Sequence, residues 1–482
     1  MLEKLKSMFK SRTPPEQHFH RQVVKARFDA AQTSRDNVRH WSMADYLSAD
    51  QEAKPEVRKI LRQRSRYEVA NNSYAKGLVQ MLANDTIGTG PRLQVLTEDE
   101  NFNDAVETEF ALWSEAVKLP QKLRLMRIAR CQDGESFAAL VTNPKLRHPV
   151  KMDVQLVEAD RVAGELKWTE DENSVDGITY DRWGNPVDYR ILRYHPGDVK
   201  FATGRECFHV PAEYMLHIFR ADRPELHRGV PELTAALPLF AQLRRYNLAV
   251  LSAAEAAADF AAILYTDAPP DGEAEKVPPM DALELERNML LTVPAGWKMG
   301  QLDAKQPTAT HAEFVKIILS EIARCAVSTY GSVSGDFSGH NYASGRLDNQ
   351  LYHKSILVDR SFWEAEVLNR IFDVWYQEFS LTTGTPTERR TPRHTWFWDG
   401  FVHVDPTKEA NAQETRLLNH TTTLAAECAK DGRDYMGVLR QRAKEIKLMR
   451  QLGIPVPGES QPRQPTESGK EPDEKETVKD DE

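Results

Sequence analysis

Between Thr308 and Leu381 the chain reads as helix, loop, helix, and this pattern constrains the fold more than any other stretch. Its centre, Gly331 to Gly345, runs Gly-Ser-Val-Ser-Gly-Asp-Phe-Ser-Gly-His-Asn-Tyr-Ala-Ser-Gly, too dense in Gly, Ser, Asn and Asp for helix or strand. Before it, Phe314, Ile317, Ile318, Ile322, Cys325 and Ala326 recur at three- and four-residue steps and so share one helix face. After it, Leu347, Leu351, Ile356, Phe362, Val367, Ile371, Val374 and Tyr376 sustain an apolar pattern, and at about 1.5 Å per residue that second helix approaches roughly 50 Å. Such a pair is a strut carrying an exposed loop. An ordinary helical hairpin with a floppy connection fits the same residues, but loops of this length inside compact domains are usually functional.

The 482 residues leave room for roughly two to four domains, and an apolar fraction of 40% beside 28% charged residues is that of a soluble chain. Of the formal net charge of -9, the stretch Glu459 to Glu482 supplies -5, from nine acidic and four basic residues. The body is therefore only mildly acidic and has no broad basic field for gripping nucleic acid. Cys131, Cys207, Cys325 and Cys428 lie far apart with no C-x-x-C pair, which argues against a zinc site or a disulfide framework and suits a reducing cytosol. The N-terminal Met-Leu-Glu-Lys-Leu-Lys-Ser-Met-Phe-Lys carries charges where a signal peptide needs an apolar run, and no window of about twenty residues is apolar enough to span a membrane.

Residues 1–50 are polar and basic-leaning without a sustained period, the pattern of a mobile arm. Helices are expected at Lys54–Asn84, closed by Gly88-Thr-Gly-Pro91, at Asn103–Val117 and at Gln121–Gln132. From Gly134 to His217 the period becomes two, with strands at Ser136–Val141, Met152–Val157, Gly177–Tyr180, Val187–Leu192 and Met215–Phe219, and a hairpin turn at Asp181–Asn185. This is a β-rich layer. Helical spacing returns at Leu239, Leu243, Tyr246, Val250, Ala253, Ala257, Ala261 and Leu264, a seam that suits a core helix and an intersubunit one equally, with Pro238 forcing a kink or a restart. Residues 266–310 are Pro-rich and irregular, with short strands expected at Asn288–Val293 and Trp297–Leu302, and read as a small insertion at the tips of two long helices. Arg393–Trp398 is one more strand; Asp405-Pro406 starts a helix ending near Gly432, Asp434–Leu452 forms the last helix, and a Pro-, Glu- and Lys-rich tail follows.

Catalytic patterns are missing. Gly331-Ser-Val-Ser-Gly335 puts Val333 where a nucleophile elbow needs serine, and no Walker lysine follows Gly88-Thr-Gly90. Asp336, Ser338 and His340 read as turn-capping residues sooner than as a base and nucleophile. His209 and His217 reach one metal only if the sheet register brings them together, and the carboxylates form no spaced metal motif. No catalytic residue, metal or cofactor is expected.

Seven motifs in order carry a family resemblance: Arg66-Tyr-Glu-Val-Ala-Asn-Asn-Ser-Tyr-Ala-Lys-Gly77 with Gly88-Thr-Gly90; Gln155-Leu-Val-Glu-Ala-Asp-Arg161; Gly177-Ile-Thr-Tyr-Asp-Arg-Trp-Gly-Asn-Pro186; His209-Val-Pro-Ala212 with Leu216-His217; Arg228-Gly-Val-Pro231; Gly335-Asp-Phe-Ser; and Asn341-Tyr-Ala-Ser-Gly-Arg346. Together they resemble the lambda-type phage portal proteins over about residues 20–455, although Ala343 stands where that family often has serine.

The resemblance implies an α+β portal-like fold and a ring, usually dodecameric, at one capsid vertex of a virion assembled in the host cytoplasm, through which double-stranded DNA passes without sequence specificity. It divides the chain into an arm (1–50), a wing (51–230), a first stem helix (231–265), a clip (266–310), a second stem helix (311–330), a tunnel loop (331–345), a long helix with a returning wing strand (346–405), a helical crown (406–455) and an acidic tail (456–482). It places Gly335, Asp336, Phe337, Ser338, His340, Asn341, Tyr342, Ser344 and Arg346 at the DNA channel, and Pro279, Trp297 and Lys298 of the clip at the packaging motor. Implied partners are further copies of the chain, the terminase large subunit, the major capsid or scaffold protein and head-tail connector proteins, with no membrane. A head adaptor or scaffold protein without a DNA lumen shares the missing chemistry and stays open.

Overall fold

The computed structural model describes residues 39–163, 173–202, 206–259, 263–266, 297–300, 310–339, 341–384, 391–401 and 405–456. A short unit ends at Glu52 with the single helical turn Ala49–Glu52, and a large unit begins at Ala53. Two helices open the large unit, α1 (Pro55–Asn71) and α2 (Ser73–Ile87), where one was expected. Asn72 separates them: its φ of -121° ends α1, and its side chain accepts from the N–H groups of Tyr74 and Ala75 to cap α2. Then come β1 (Arg92–Val95), α3 (Glu100–Val117) and α4 (Leu119–Asp133).

The period-two stretch forms two antiparallel sheets, not one layer. In the first, β2 (Glu135–Thr142) lies between β3 (Met152–Val157) and β8 (Met215–Phe219), so that Phe137 stands opposite both Val157 and His217. In the second, β4 (Ser174–Val175), β5 (Ile178–Tyr180), β6 (Pro186–Leu192) and β7 (Cys207–Pro211) follow in order as a meander. Phe137, Ala139, Val157, Ile178, Tyr189, Ile191 and Met215 are buried together, one alternating face from each sheet. His209 and His217 therefore sit in different sheets, paired with Asp188 and Glu135 respectively, and do not converge.

Pro238 lies in the first turn of α5 (Leu237–Asp259), so it restarts the helix. The expected seam is partly a core seam: Leu243 is buried, and Tyr246 packs on His311 and Phe314 of α6 (His311–Cys325) with centroids 5.3 and 4.5 Å apart. Leu248 and Leu251 on its other side are exposed. The helix expected to run through Leu264 is described as far as Asp259, and Ile263–Thr266 is instead β9, paired with β10 (Trp297–Gly300), as suits its Ile, Tyr and Thr. The strand expected at Asn288–Val293 lies outside the described residues, as does Pro279.

After α6 come α7 (Tyr330–Ser334), α8 (Tyr342–Trp363), a π turn (Glu364–Leu368) and α9 (Asn369–Thr383). From Tyr342 to Thr383 the chain is helical throughout, about 60 Å at 1.5 Å per residue. This strut crosses two cores. Tyr352 and Ile356 join α2, α5, α6 and α7, while Trp363 to Phe379 join α3, α4 and the first sheet. Phe110, Trp113, Phe372, Trp375 and Trp396 form the second core's aromatic centre, with Phe110 edge-on to Trp375 at 5.1 Å and the Trp113 indole N–H donating to the Met152 carbonyl at 2.7 Å. β11 (His394–Phe397) returns to pair with β1. The helix expected to end near Gly432 is two, α10 (Pro406–Leu418) and α11 (Leu424–Lys430), parted by His420 with φ +56°; α12 (Tyr435–Leu452) follows.

Candidate functional site

The loop between α6 and α8 is shorter than its composition suggests. Tyr330–Ser334 is helical because Thr329 accepts from the Ser332 N–H at 3.2 Å, and Gly331 and Val333 are buried. Gly335 ends that helix with φ +72°, its N–H donating to the Gly331 carbonyl at 2.8 Å. At the far side Asn341 accepts from the Ser344 N–H at 2.8 Å while the Ser344 hydroxyl accepts from the Asn341 N–H at 3.1 Å, a capping box that begins α8 at Tyr342. Gly331–Ser334 and Tyr342–Gly345 thus leave the loop, which narrows to 335–341.

Asp336 accepts from both the N–H and the hydroxyl of Ser338, at 2.9 and 2.6 Å. Asp336, Ser338, Asn341 and Ser344 are therefore committed to holding the loop's shape. Phe337 is 60% exposed at the tip, Arg346 is exposed on the first turn of α8, and Lys316 packs over Tyr330 with its ammonium 5.4 Å from the ring centroid. A Cβ at Gly339 would meet that ammonium at 3.8 Å, so a cation lies beside a loop whose own formal charge is Asp336. His340 and the Tyr342 side chain lie outside the described residues, as does the Trp297 side chain; Lys298 is exposed on β10.

Two buried charge clusters anchor the frame that holds the loop. Glu135, fully buried, accepts from Arg228 at 2.7 Å, from Arg62 and from the His217 ring at 3.2 Å, and Arg58 and Arg228 share Asp176. Burial pushes the Glu135 carboxyl up, but Arg228, Arg62 and His217 outweigh it and hold it well below the usual range. Burial lowers His217, which stays neutral and donates from Nε2. The pairing follows from a close approach of backbones: a Cβ at Gly229 would stand 2.2 Å from the Gly134 carbonyl oxygen, so only glycines let Arg228 and Glu135 meet. In the second cluster Arg127 and Arg130 of α4 both bridge Glu232 and Asp359, tying α8 to α4. Burial opposes ionisation of Glu232, but the two arginines bring it down to about 2. Glu158, Asp160 and His195 offer ligand atoms within 4.8 Å of one another, yet Arg66 lies 2.6 Å from Asp160 and 3.5 Å from Glu158 and takes the place of a cation there.

A sequence profile described as phage portal protein, lambda family, matches residues 35–358, more than half of the chain and including the whole loop. The chain belongs to the lambda family of phage portal proteins. This portal chain is 27% identical over 430 residues to the "Probable portal protein" of Halomonas phage phiHAP-1, with 82% of each covered. Among solved structures it is similar to a chain from the neck of a native gene transfer agent particle computed with C12 symmetry, at 14% identity over 83% of this chain and 94% of that one, TM-score 0.43. A chain from the neck of an empty particle computed with C6 symmetry matches at 15% identity, 74% and 87% coverage and TM-score 0.42. These two scores are too low to bear on the fold. No helix among the described residues is long and apolar enough to cross a membrane.

Proposed function

We propose that this chain is the subunit of a closed ring, dodecameric by family habit, that conducts double-stranded DNA into and out of a phage head. The observation that carries the reading is the family match spanning 35–358, which takes in α6, the loop and α8 as far as Val358. The loop 335–341 presents Phe337 to the lumen on a rigid mount, so contact with DNA is steric and polar and independent of sequence. Lys316, Arg324, Arg346 and Lys354 add local phosphate contacts, and the mildly acidic body keeps them from becoming a grip that opposes translocation. The β9–β10 ribbon and residues 266–310 form the clip that docks the terminase large subunit and later the connectors; the wing meets the capsid or scaffold protein, and the role is structural, not catalytic. Mass in solution and negative-stain images test the ring. Phe337→Ala tests the loop: assembly and thermal midpoint are expected to stay at the unaltered level while DNA packaging or retention falls, and heads that both fill and hold their DNA normally overturn the assignment.

A further inference from the structure

The β5–β6 turn leaves Trp183 70% exposed, with the Arg182 guanidinium 3.8 Å over its ring. Hairpin geometry does not require an indole there. Asp181 makes the turn by accepting from the N–H groups of Trp183 and Asn185, and Gly184 supplies the positive φ of +83°. Trp and Arg are the residues most enriched where interfaces are anchored.

Elsewhere on the chain a cleft of about 600 Å³ opens among α4, β8 and α8, and Trp183 does not line it. Its apolar walls are Phe219, Val327, Ile356, Val358 and Phe362, of which Val358 is 66% exposed. The charges of its floor are satisfied, since Arg127 and Arg130 hold Glu232 and Asp359, and Arg220 at its edge pairs with Asp222 at 2.8 Å. Glu366 differs: it lines the cleft and makes no ion pair among the described residues. A hole with apolar walls and one unmatched carboxylate complements a knob made of an indole and a guanidinium. A buried indole N–H also needs an acceptor, which Glu366 offers.

We propose that the Arg182–Trp183 tip of one copy seats in this cleft of the next copy, with Trp183 against Phe219, Val358 and Phe362, and Arg182 paired with Glu366. The inference rests on the ring reading above and names one of its contacts. Knob and hole are different patches of the same chain, the arrangement that gives head-to-tail contacts and closes into a ring when the rotation per subunit allows.

The test is assembly of the full chain, read as mass in solution over graded concentrations, with a thermal melt to confirm folding. Trp183→Ala is expected to weaken assembly by about thirty-fold or more, the loss of one interface anchor, with the melt unchanged. Arg182→Glu and Glu366→Arg are each expected to weaken it, and the double variant to restore it. If Trp183→Ala and Arg182→Glu assemble like the unaltered chain, this contact is wrong while the ring stands. If they form rings normally but fail to enter heads, the Arg182–Trp183 tip meets a capsid or scaffold protein and the inference is overturned. If the unaltered chain forms no ring under any condition, the ring reading falls and this contact with it.

Discussion

Glu135 is fully buried, so its charge depends on Arg62, Arg228, His217 and the Gly229 N–H. Removing one member leaves the others buried and unmatched. Glu135→Ala or Arg228→Ala is expected to cost about 3–5 kcal/mol, read as a lower denaturant midpoint at unchanged slope. Glu232 fixes the acid limit. The unfolded chain takes up its proton near 4.5 and the folded chain only near 2, so stability is full above 4.5 and lost as pH falls between those values. That single group supplies on the order of 3 kcal/mol, and Glu232→Gln should flatten the fall in melting temperature between pH 4.5 and 2. None of these pairs is legible in the sequence. Glu135 and Arg228 lie 93 positions apart, and no local period marks a charged residue as buried; the Arg228-Gly-Val-Pro231 motif flags a place without naming its partner.

At the scale of elements, periodicity does most of what it can. Met152–Val157 and Met215–Phe219 form strands at the expected bounds, because alternation is set by which face meets the core. The failures come where a single side chain decides. Asn72 splits one expected helix, and Asn341 with Ser344 starts α8 inside a segment whose composition spells loop, since a capping box uses the same Asn and Ser that a turn does. Ile263–Thr266 continues the apolar spacing of α5 yet forms a strand, because pairing with β10 overrides the spacing. Asn341→Ala is expected to cost about 1 kcal/mol and to speed amide exchange over Ser344–Leu347 while Ile356 and beyond stay protected, since fraying is confined to the first turns.

For the whole molecule, the strut sets how the loop is held relative to the aromatic core. After Trp363 the buried side chains fall at Val367, Leu368, Ile371 and Phe372, one position later than a regular α-helix would place them. The π turn Glu364–Leu368 absorbs that extra residue, and Ala365 within it is exposed. Deleting Ala365 is expected to leave folding within about 1 kcal/mol, because Val367, Leu368, Ile371 and Phe372 then follow Trp363 at regular α spacing; the melting midpoint checks it. Deleting Ser361 instead sets the buried Arg360 and Trp363 only two residues apart, off a common face, and should cost several kcal/mol, in the range of about 3–5 for a broken core contact. The rod therefore has slack of one residue at its middle, between the core that takes Tyr352 and Ile356 and the core that takes Trp363 to Phe379. Any migration of that slack along the helix turns the residues it passes by about 100° without unwinding either end, so rotation near the loop and constancy at the tryptophans are compatible in one continuous helix.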